Sequence, residues 1–261
     1  MSTVLVAGGT GTAGAAVVAE LRARGHRVLT LSRHSPEGPA ADHVTADLLT
    51  GEGLAAALDG VDAVISAVNG QTRKTRPVFT EGARNLVRAA EAAGVRRAVL
   101  LSIVGVDRVR LSYYETLTEQ EGIYSASGLD VRIVRSTQFH QLLRSIFATT
   151  ARFGVIPAVR GARFQPIAPT DLARALADAA LTESATAGGR IEVGGPEVRT
   201  MRELAESWKR ATGSRALVLP VPMPGAPGRF LRAGLNLTTE NRYGAVTFDE
   251  WLATEAPSTS E

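Results

Sequence analysis

The chain has no cysteine, only two lysines (Lys74 and Lys209) among 29 basic residues, and few aromatics: seven Phe, four Tyr and two Trp in 261 positions. Without cysteine there is no disulfide, no thiol nucleophile and no cysteine-ligated metal. No stretch approaches the roughly 18 consecutive apolar residues of a membrane-spanning helix. The start, "MSTVLVAGG", runs straight into a strand-like segment and lacks the charged and apolar regions of a signal peptide. These absences predict a cytoplasmic protein without a membrane partner. Charge of one sign is also scarce in blocks: the formal net charge is +3, and "RKTR" (73–76) is the only dense basic run. With no aromatics interleaved it reads as a solvated loop, so no nucleic-acid partner is expected.

What is present is a rhythm. "TVLVA" (3–7), "RVLTLS" (27–32), "HVTA" (43–46), "DAVISAV" (62–68), "RAVLLSI" (97–103) and "DVRIVRS" (130–136) are short runs rich in Val, Ile and Leu. Runs of that length suit strands buried on both faces of a parallel sheet. Between them lie "AGAAVVAELRARG", "GEGLAAALDG", "TEGARNLVRAAEAAG" and "TLTEQEGIYSASG", which close on Gly25, Gly60, Gly94 and Gly128, the expected helix stop. Alternation of this kind predicts an α/β fold: a doubly wound parallel sheet of Rossmann type. After Ser136 the pattern loosens. Thr170, Thr200 with Glu203, and Thr247 with Glu250 are helix starts, the last two with capping-box spacing. "LPVPMPGAPG" (219–228) reads as a connector. The expected organisation is a dinucleotide-binding domain over 1–150, then a smaller substrate-covering lobe over 151–253 with segments returning to the sheet. A frayed tail over 254–261 completes the chain.

The most informative stretch is "VLVAGGTGTAGAAVVAEL". Gly9, Gly11 and Gly14 fit G-x-G-x-x-G; Gly8, Gly11 and Gly14 fit G-x-x-G-x-x-G. The motif follows an apolar strand and opens an Ala/Val-rich helix, the context that gives it meaning. One glycine permits a tight turn, one lets backbone amides approach a pyrophosphate, and one allows close helix–strand packing. The helix N-terminus then presents its positive dipole end to the phosphates. The second strand bears on the choice of cofactor. NAD sites usually carry an acid about 20 residues after the motif, but here the strand ends in Ser32, Arg33 and His34. Arg33 suits a 2′-phosphate, which a guanidinium grips with two hydrogen bonds. NADP(H) is therefore expected over NAD(H).

Taken together these motifs resemble the short-chain dehydrogenase/reductase superfamily, and specifically its atypical, NmrA-like branch of NAD(P)H-binding proteins. The residues that carry the resemblance are "VLVAGGTGTAG", "SRH" after the second strand, "ADL" after the third, "LSIVGVDR" at the fifth, the "YY" pair and "VRSTQFHQLL" at the sixth. "GVIPAVRGARFQPIAPTDLARAL" resembles the later segment where the family's chain returns to its sheet. The resemblance implies that Gly8, Thr10, Gly11, Thr12, Ala13 and Gly14 hold the pyrophosphate. It places Asp47 and Leu48 at the adenine edge, and Ser66, Ala67, Val68 and Asn69 along the ribose path. Ser102 and Ile103 fall at the fifth strand's end, Ser102 near the catalytic serine position. Tyr113 matches the catalytic tyrosine, and Ser136, Thr137, Gln138 and Phe139 border the nicotinamide pocket. His140 is a candidate substrate contact. From the C-terminal third, Phe164, and with it Phe153 and Trp208, are candidate pocket linings.

One position departs from the family pattern. Four residues after Tyr113, where relatives carry a lysine that lowers the phenol's pKa, stands Leu117. Tyr113 should then sit near the ordinary tyrosine value of about 10, a poor base but a serviceable proton donor. The reading is an NADPH-dependent reductase of a small carbonyl, quinone or related acceptor. The alternatives are an NADP(H)-binding redox sensor without turnover, and a non-redox cyclase, epimerase or dehydratase on the same fold.

Overall fold

The computed structural model describes residues 1–33, 42–68, 70, 75–182, 189–238 and 243–255; the expected contacts His34 and Asn69, and tail residues 256–261, lie outside them. In chain order the elements are β1 (Thr3–Ala7), α1 (Thr12–Ala23), β2 (Arg27–Ser32), β3 (His43–Thr45), α2 (Leu54–Ala57), β4 (Ala63–Ser66) and α3 (Arg76–Ala92). There follow β5 (Arg97–Ile103), α4 (Ser112–Ser125), β6 (Asp130–Ser136), α5 (His140–Ala151), β7 (Val155–Val159), β8 (Arg163–Phe164) and α6 (Pro169–Leu181). The chain ends with β9 (Gly189–Val193), β10 (Arg199–Thr200), α7 (Met201–Thr212), β11 (Leu217–Val221), α8 (Gly225–Arg232) and α9 (Phe248–Glu255).

Seven strands form one sheet in the order β3-β2-β1-β4-β5-β6-β9. The pairs β1–β2, β2–β3, β1–β4 and β4–β5 are parallel. Strand order reverses beside β1, so β1 and β4 define the switch point whose carboxyl ends leave a crevice in doubly wound sheets. Val4, Leu5, Val6 and Ile65 are fully buried, as strands covered on both faces require. The strand boundaries expected for β1, β2, β5 and β6 match; β3 and β4 are shorter than expected.

The chain divides into two compact units, and neither is a continuous segment. The first comprises Met1–Ser102, Leu111–Arg135 and Leu172–Ile191; the second comprises Ile103–Arg110, Ser136–Asp171 and Glu192–Glu261. The division expected at residue 150 thus differs from the observed one. The sixth strand is the last of the sequence pattern, but α6 and β9 come back to the first unit much later in the chain. Leu29, Leu54, Leu86, Leu100 and Ile133 belong to the core of the first unit. The second has its own core of Leu143, Phe147, Ile156, Leu204, Trp208, Phe248 and Trp251.

Two local readings change. "LPVPMPGAPG" is not a bare connector: its first half lies in β11, which pairs in parallel with β7, and its second half opens α8. Proline is tolerated there because β11 lies at the edge of a two-stranded sheet and Pro227 falls in the first turn of α8. Gly25, Gly60 and Gly94 adopt positive φ beyond α1, α2 and α3, but Gly128 does not; α4 ends at Ser125. Both capping boxes form. In α7 the Glu203 amide donates to the Thr200 hydroxyl oxygen while the Thr200 amide donates to the Glu203 carboxylate. Thr247 and Glu250 do the same for α9.

The packing of α1 against β1 leads to a first test. A Cβ at Gly14 would run into the Gly8 carbonyl oxygen, a backbone atom that cannot swing away. Gly14→Ala should therefore lower stability by about 2 kcal/mol, read as a fall in the urea midpoint without a change of slope.

Candidate nucleotide and proton-transfer site

The turn between β1 and α1 is built from three glycines in different roles. Gly8 has φ +81°, and a Cβ on it would meet the Ala67 carbonyl at 2.7 Å. It is glycine for both conformation and the close crossing of β1 and β4. Gly14 is glycine because α1 passes over Gly8. Gly11 has neither need: its φ is −79°, and an added Cβ would meet only the Gly8 carbonyl, at 3.4 Å. It is the N-cap of α1, with no side-chain cap and no acid in the first turn. Its own amide donates to Gly8 O at 3.0 Å. Gly11 and Thr12 are exposed. The result is an uncapped, dipole-positive helix end with open space over it. An acyl or alkyl group would gain nothing there; a pyrophosphate fits, and a Cβ at Gly11 would fill part of the space it needs.

The other expected nucleotide contacts in the first unit fall along the same carboxyl edge. Ser32 ends β2, with its hydroxyl 2.8 Å from His43 Nε2, and Arg33 is exposed just beyond it. Asp47 follows β3. Its Oδ1 accepts from the Leu49 amide at 2.7 Å, and Asn85 Nδ2 donates to the carbonyls of Leu48 and Leu49, both at 2.9 Å. That turn is therefore fixed before any ligand arrives. Leu48 is buried, as are Ser66 and Ala67 at the end of β4; Val68 is half-buried.

Tyr113 sits in the first turn of α4, which begins at Ser112, earlier than the sequence suggested. Its ring meets Phe79 edge-on (6.1 Å, 85°) and Tyr114 at 6.2 Å. Arg76 Nη2 donates to Ser112 Oγ at 2.6 Å, tying the starts of α3 and α4 together. Burial first, and the neighbouring Tyr114 second, push the Tyr113 phenol above its ordinary 10.0. The sequence expectation of a value near 10 thus shifts upward, and not through Glu115 or Glu119: Glu119 is paired with Arg84 at 2.7 Å. Leu117, one turn on, is buried. A lysine at that position would have to enter the core.

Ser102, at the end of β5, is also buried, and its hydroxyl donates to Glu121 Oε1 at 2.6 Å. Glu121, two turns after Tyr113 on α4, is 1% exposed. It is matched by Arg135 of β6, whose Nε donates to Oε1 at 2.9 Å and Nη2 to Oε2 at 2.7 Å. Arg190 Nε lies 3.3 Å from Oε2. A carboxylate so enclosed needs this pairing, because an unpaired buried charge costs several kcal/mol. The sequence reading missed the cluster. Its one available signal was an arginine at a strand position flanked by Val134 and Ser136, where a charge demands a partner.

The remaining expected residues belong to the second unit. Ile103 is half-buried. The Val104 amide donates to Ser136 O, the Thr137 amide to Val193 O, and the Ile167 amide to Gln138 O. The Ser136 hydroxyl donates to Thr137 O, and the Thr137 hydroxyl to Gln165 O. Phe139 is the extended N-cap of α5 and bridges Ile167. His140 is completely enclosed, its ring 5.5 Å from Phe248 and 5.4 Å from Trp251, with Nε2 3.1 Å from Val246 O. Burial lowers its pKa to about 4 despite that bond. Phe164 and Trp208 lie in the core of the second unit, whereas Phe153 is 81% exposed. His140 and Phe164 are thus enclosed in the second unit, with His140 Nδ1 left without a hydrogen-bond partner among the described residues.

Comparison with known proteins agrees with the geometry of the first unit. A family model described as NAD(P)H-binding matches residues 8–183. The chain belongs to this NAD(P)H-binding family and has the fold of the short-chain dehydrogenase/reductase superfamily. Photosystem II assembly factor Ycf39 of Synechocystis sp. is 29% identical over 274 residues, covering 99% of this chain and 82% of that protein. A 3-diazoavenalumate denitrifying reductase of Streptomyces sp. is 40% identical over 116 residues, 38% of this chain and 37% of that enzyme. The crystal structure of the NADPH-dependent quinone oxidoreductase QOR2 of Escherichia coli, complexed with NADPH, superposes with a TM-score of 0.77. That match has 19% identity and covers 97% of this chain and 99% of QOR2.

Two tests follow from the geometry. Gly11→Val should still fold, at a cost of about 1 kcal/mol because valine is a poorer N-cap than glycine, yet lose NADP and NAD binding by calorimetry, since its branches fill the phosphate approach. His140 should stay neutral down to about pH 4. An NMR titration giving an ordinary histidine value near 6.5 would show the ring open to solvent and restore it as a ligand contact.

Proposed function

We propose that the protein is an NADPH-dependent reductase of a small carbonyl or quinone acceptor, with Tyr113 as the proton donor. The observation that carries the reading is a half-buried phenol held neutral, with no cation in the lysine position and Leu117 buried there instead. Reduction of a carbonyl develops an alkoxide, which takes a proton from a neutral phenol; alcohol oxidation needs a base, which this phenol is not. Ser102 cannot be a second donor while its proton points at Glu121, so its role is to offer a lone pair or to hold the end of β5.

When bound, NADPH supplies the hydride. The exposed start of α1 fits its pyrophosphate, with Gly8, Thr10, Gly11, Thr12, Ala13 and Gly14 as the holding residues. Asp47 and Leu48 are assigned to the adenine edge, Ser66 to Asn69 to the ribose path, and Ser136 to Phe139 to the nicotinamide border, all on the family resemblance. Arg33, exposed at the end of β2 in place of an acid, is assigned to the 2′-phosphate. It supports NADPH over NADH.

A second reading is an NADP(H)-binding regulator without turnover. A relative that matches almost the whole chain carries the name of an assembly factor, and the missing lysine and committed serine would matter little to such a protein. NADPH consumption across a panel of quinones and ketones separates the two.

Arg33→Ala should erase a preference for NADP over NAD of at least about tenfold, roughly one charge-assisted contact, with NAD affinity nearly unchanged. Equal affinities in the unaltered protein contradict the assignment. Tyr113→Phe should remove most reductase activity while nucleotide binding persists. In the unaltered protein the rate should stay flat through neutral pH and fall only above the ordinary tyrosine range, since ionisation of the donor is what ends it. Undiminished turnover in Tyr113→Phe would assign the ring to packing.

A further inference from the structure

The second unit carries an apolar face that its own core does not use. In the parallel ribbon β7–β11, Leu217 pairs with Val155 and Leu219 with Pro157. The pleat sends alternate residues to opposite faces. Ile156 and Ala158 are buried on the inner face. Val155, Leu217 and Leu219 on the outer one are 38%, 60% and 44% exposed. Phe153, two residues before Val155, is 81% exposed at the turn that leads into β7. The Leu217 amide donates to Gly154 O, so the phenylalanine turn and the start of β11 are adjacent. Four large apolar side chains in one place are more than the scattered exposure ordinary surfaces show.

Charge in the segments that supply this face is one-sided. There is no Asp or Glu between Asp130 and Asp171, or between Glu206 and Glu240, and both ribbon strands come from these stretches. The same two stretches hold Arg152, Arg160, Arg163, Lys209, Arg210, Arg215, Arg229 and Arg232, besides Arg144, which Glu255 of α9 neutralises at 2.6 Å. Arg152 adjoins Phe153, Arg215 precedes Leu217 by two residues, and Arg160 follows β7; all three are exposed and make no ion pair with the described residues.

We propose that this face is a peripheral attachment surface for an anionic lipid bilayer, with Phe153, Val155, Leu217 and Leu219 entering the headgroup–acyl boundary and Arg152, Arg160 and Arg215 meeting lipid phosphates. Charge complementarity selects this occupant. A second copy of the chain, docked face to face through a two-fold axis, would set arginine against arginine. Strand addition by another polypeptide is disfavoured because Pro157 and Pro220 remove ladder donors from both strands. Apolar side chains ringed by cations, with no directional polar reader among them, suit a fluid anionic surface. No helix among the described residues is long and apolar enough to span a bilayer, so attachment is to the surface. The inference is independent of the proposed reductase activity.

The test is co-sedimentation with vesicles of phosphatidylglycerol and phosphatidylcholine against vesicles of phosphatidylcholine alone. Binding is expected only to the anionic vesicles and should be lost as salt rises. Phe153→Ser combined with Leu217→Ser should weaken it roughly tenfold, and Arg152→Gln or Arg215→Gln about fivefold each. All four positions are exposed, so melting temperatures should hold; the arginine variants serve if the double variant fails to fold. No binding to anionic vesicles at low salt overturns the proposal. So does binding that ignores these substitutions, or a dimer in solution that the double variant dissolves.

Discussion

The close passage of α1 over the end of β1 is the contact on which the nucleotide site depends. Because position 14 has no Cβ, the helix backbone settles against the Gly8 carbonyl at a distance any side chain would forbid. Because position 8 has none, and takes a left-handed φ, β1 can turn beside Ala67 at the end of β4. Together these contacts set the start of α1 at the sheet's switch point, the one place where neighbouring crossovers diverge and leave room. Gly11 is then left with an open approach and unpaired helix-start amides around it. The family match over residues 8–183 begins at this turn.

A second constraint governs the chemistry. The Glu121–Arg135 pair ties α4 to β6, and the Ser102 hydroxyl ties it to β5. A buried pair of this kind adds little net stability over an apolar substitute, but losing one partner is costly, so the helix is held in register. On that helix Tyr113 and Leu117 share a face at one-turn spacing. With an aliphatic residue where a cation would stand, and Phe79 and Tyr114 about the ring, the phenol's neutral form is favoured. Such a group gives protons readily in only one direction. That neutral phenol is the ground of the proposed reductase reading.

What the sequence made legible was whatever local chemistry dictates. Short runs rich in Val, Ile and Leu specified β1, β2, β5 and β6. The glycine spacing specified the tight turn between β1 and α1, and Thr-x-x-Glu specified the starts of α7 and α9. What stayed hidden depends on partners distant in sequence. β11 reads as a proline-rich connector until β7, some sixty residues earlier, is beside it. Glu121 looks like one more polar residue of an amphipathic helix; only the fold brings Arg135 and Ser102 to it. His140 looks like a ligand in sequence because histidine usually is polar, and becomes core once Phe248 and Trp251 close over it. The return of later segments to the sheet was legible, but which residues cross between the units was not, since that depends on α6 and β9 packing on the first unit.

The central proposal is that the dinucleotide binds at the exposed start of α1. Amide hydrogen exchange, followed by mass spectrometry with and without NADPH, reads that segment without any need for a substrate. The account predicts that NADPH slows exchange in peptides covering Gly8 to Ala15, and in those covering Arg33 and Asp47, with little change in the β7–β11 ribbon. Saturating NADPH that leaves the Gly8–Ala15 peptides as fast as in the free protein, while protecting another region, would contradict it.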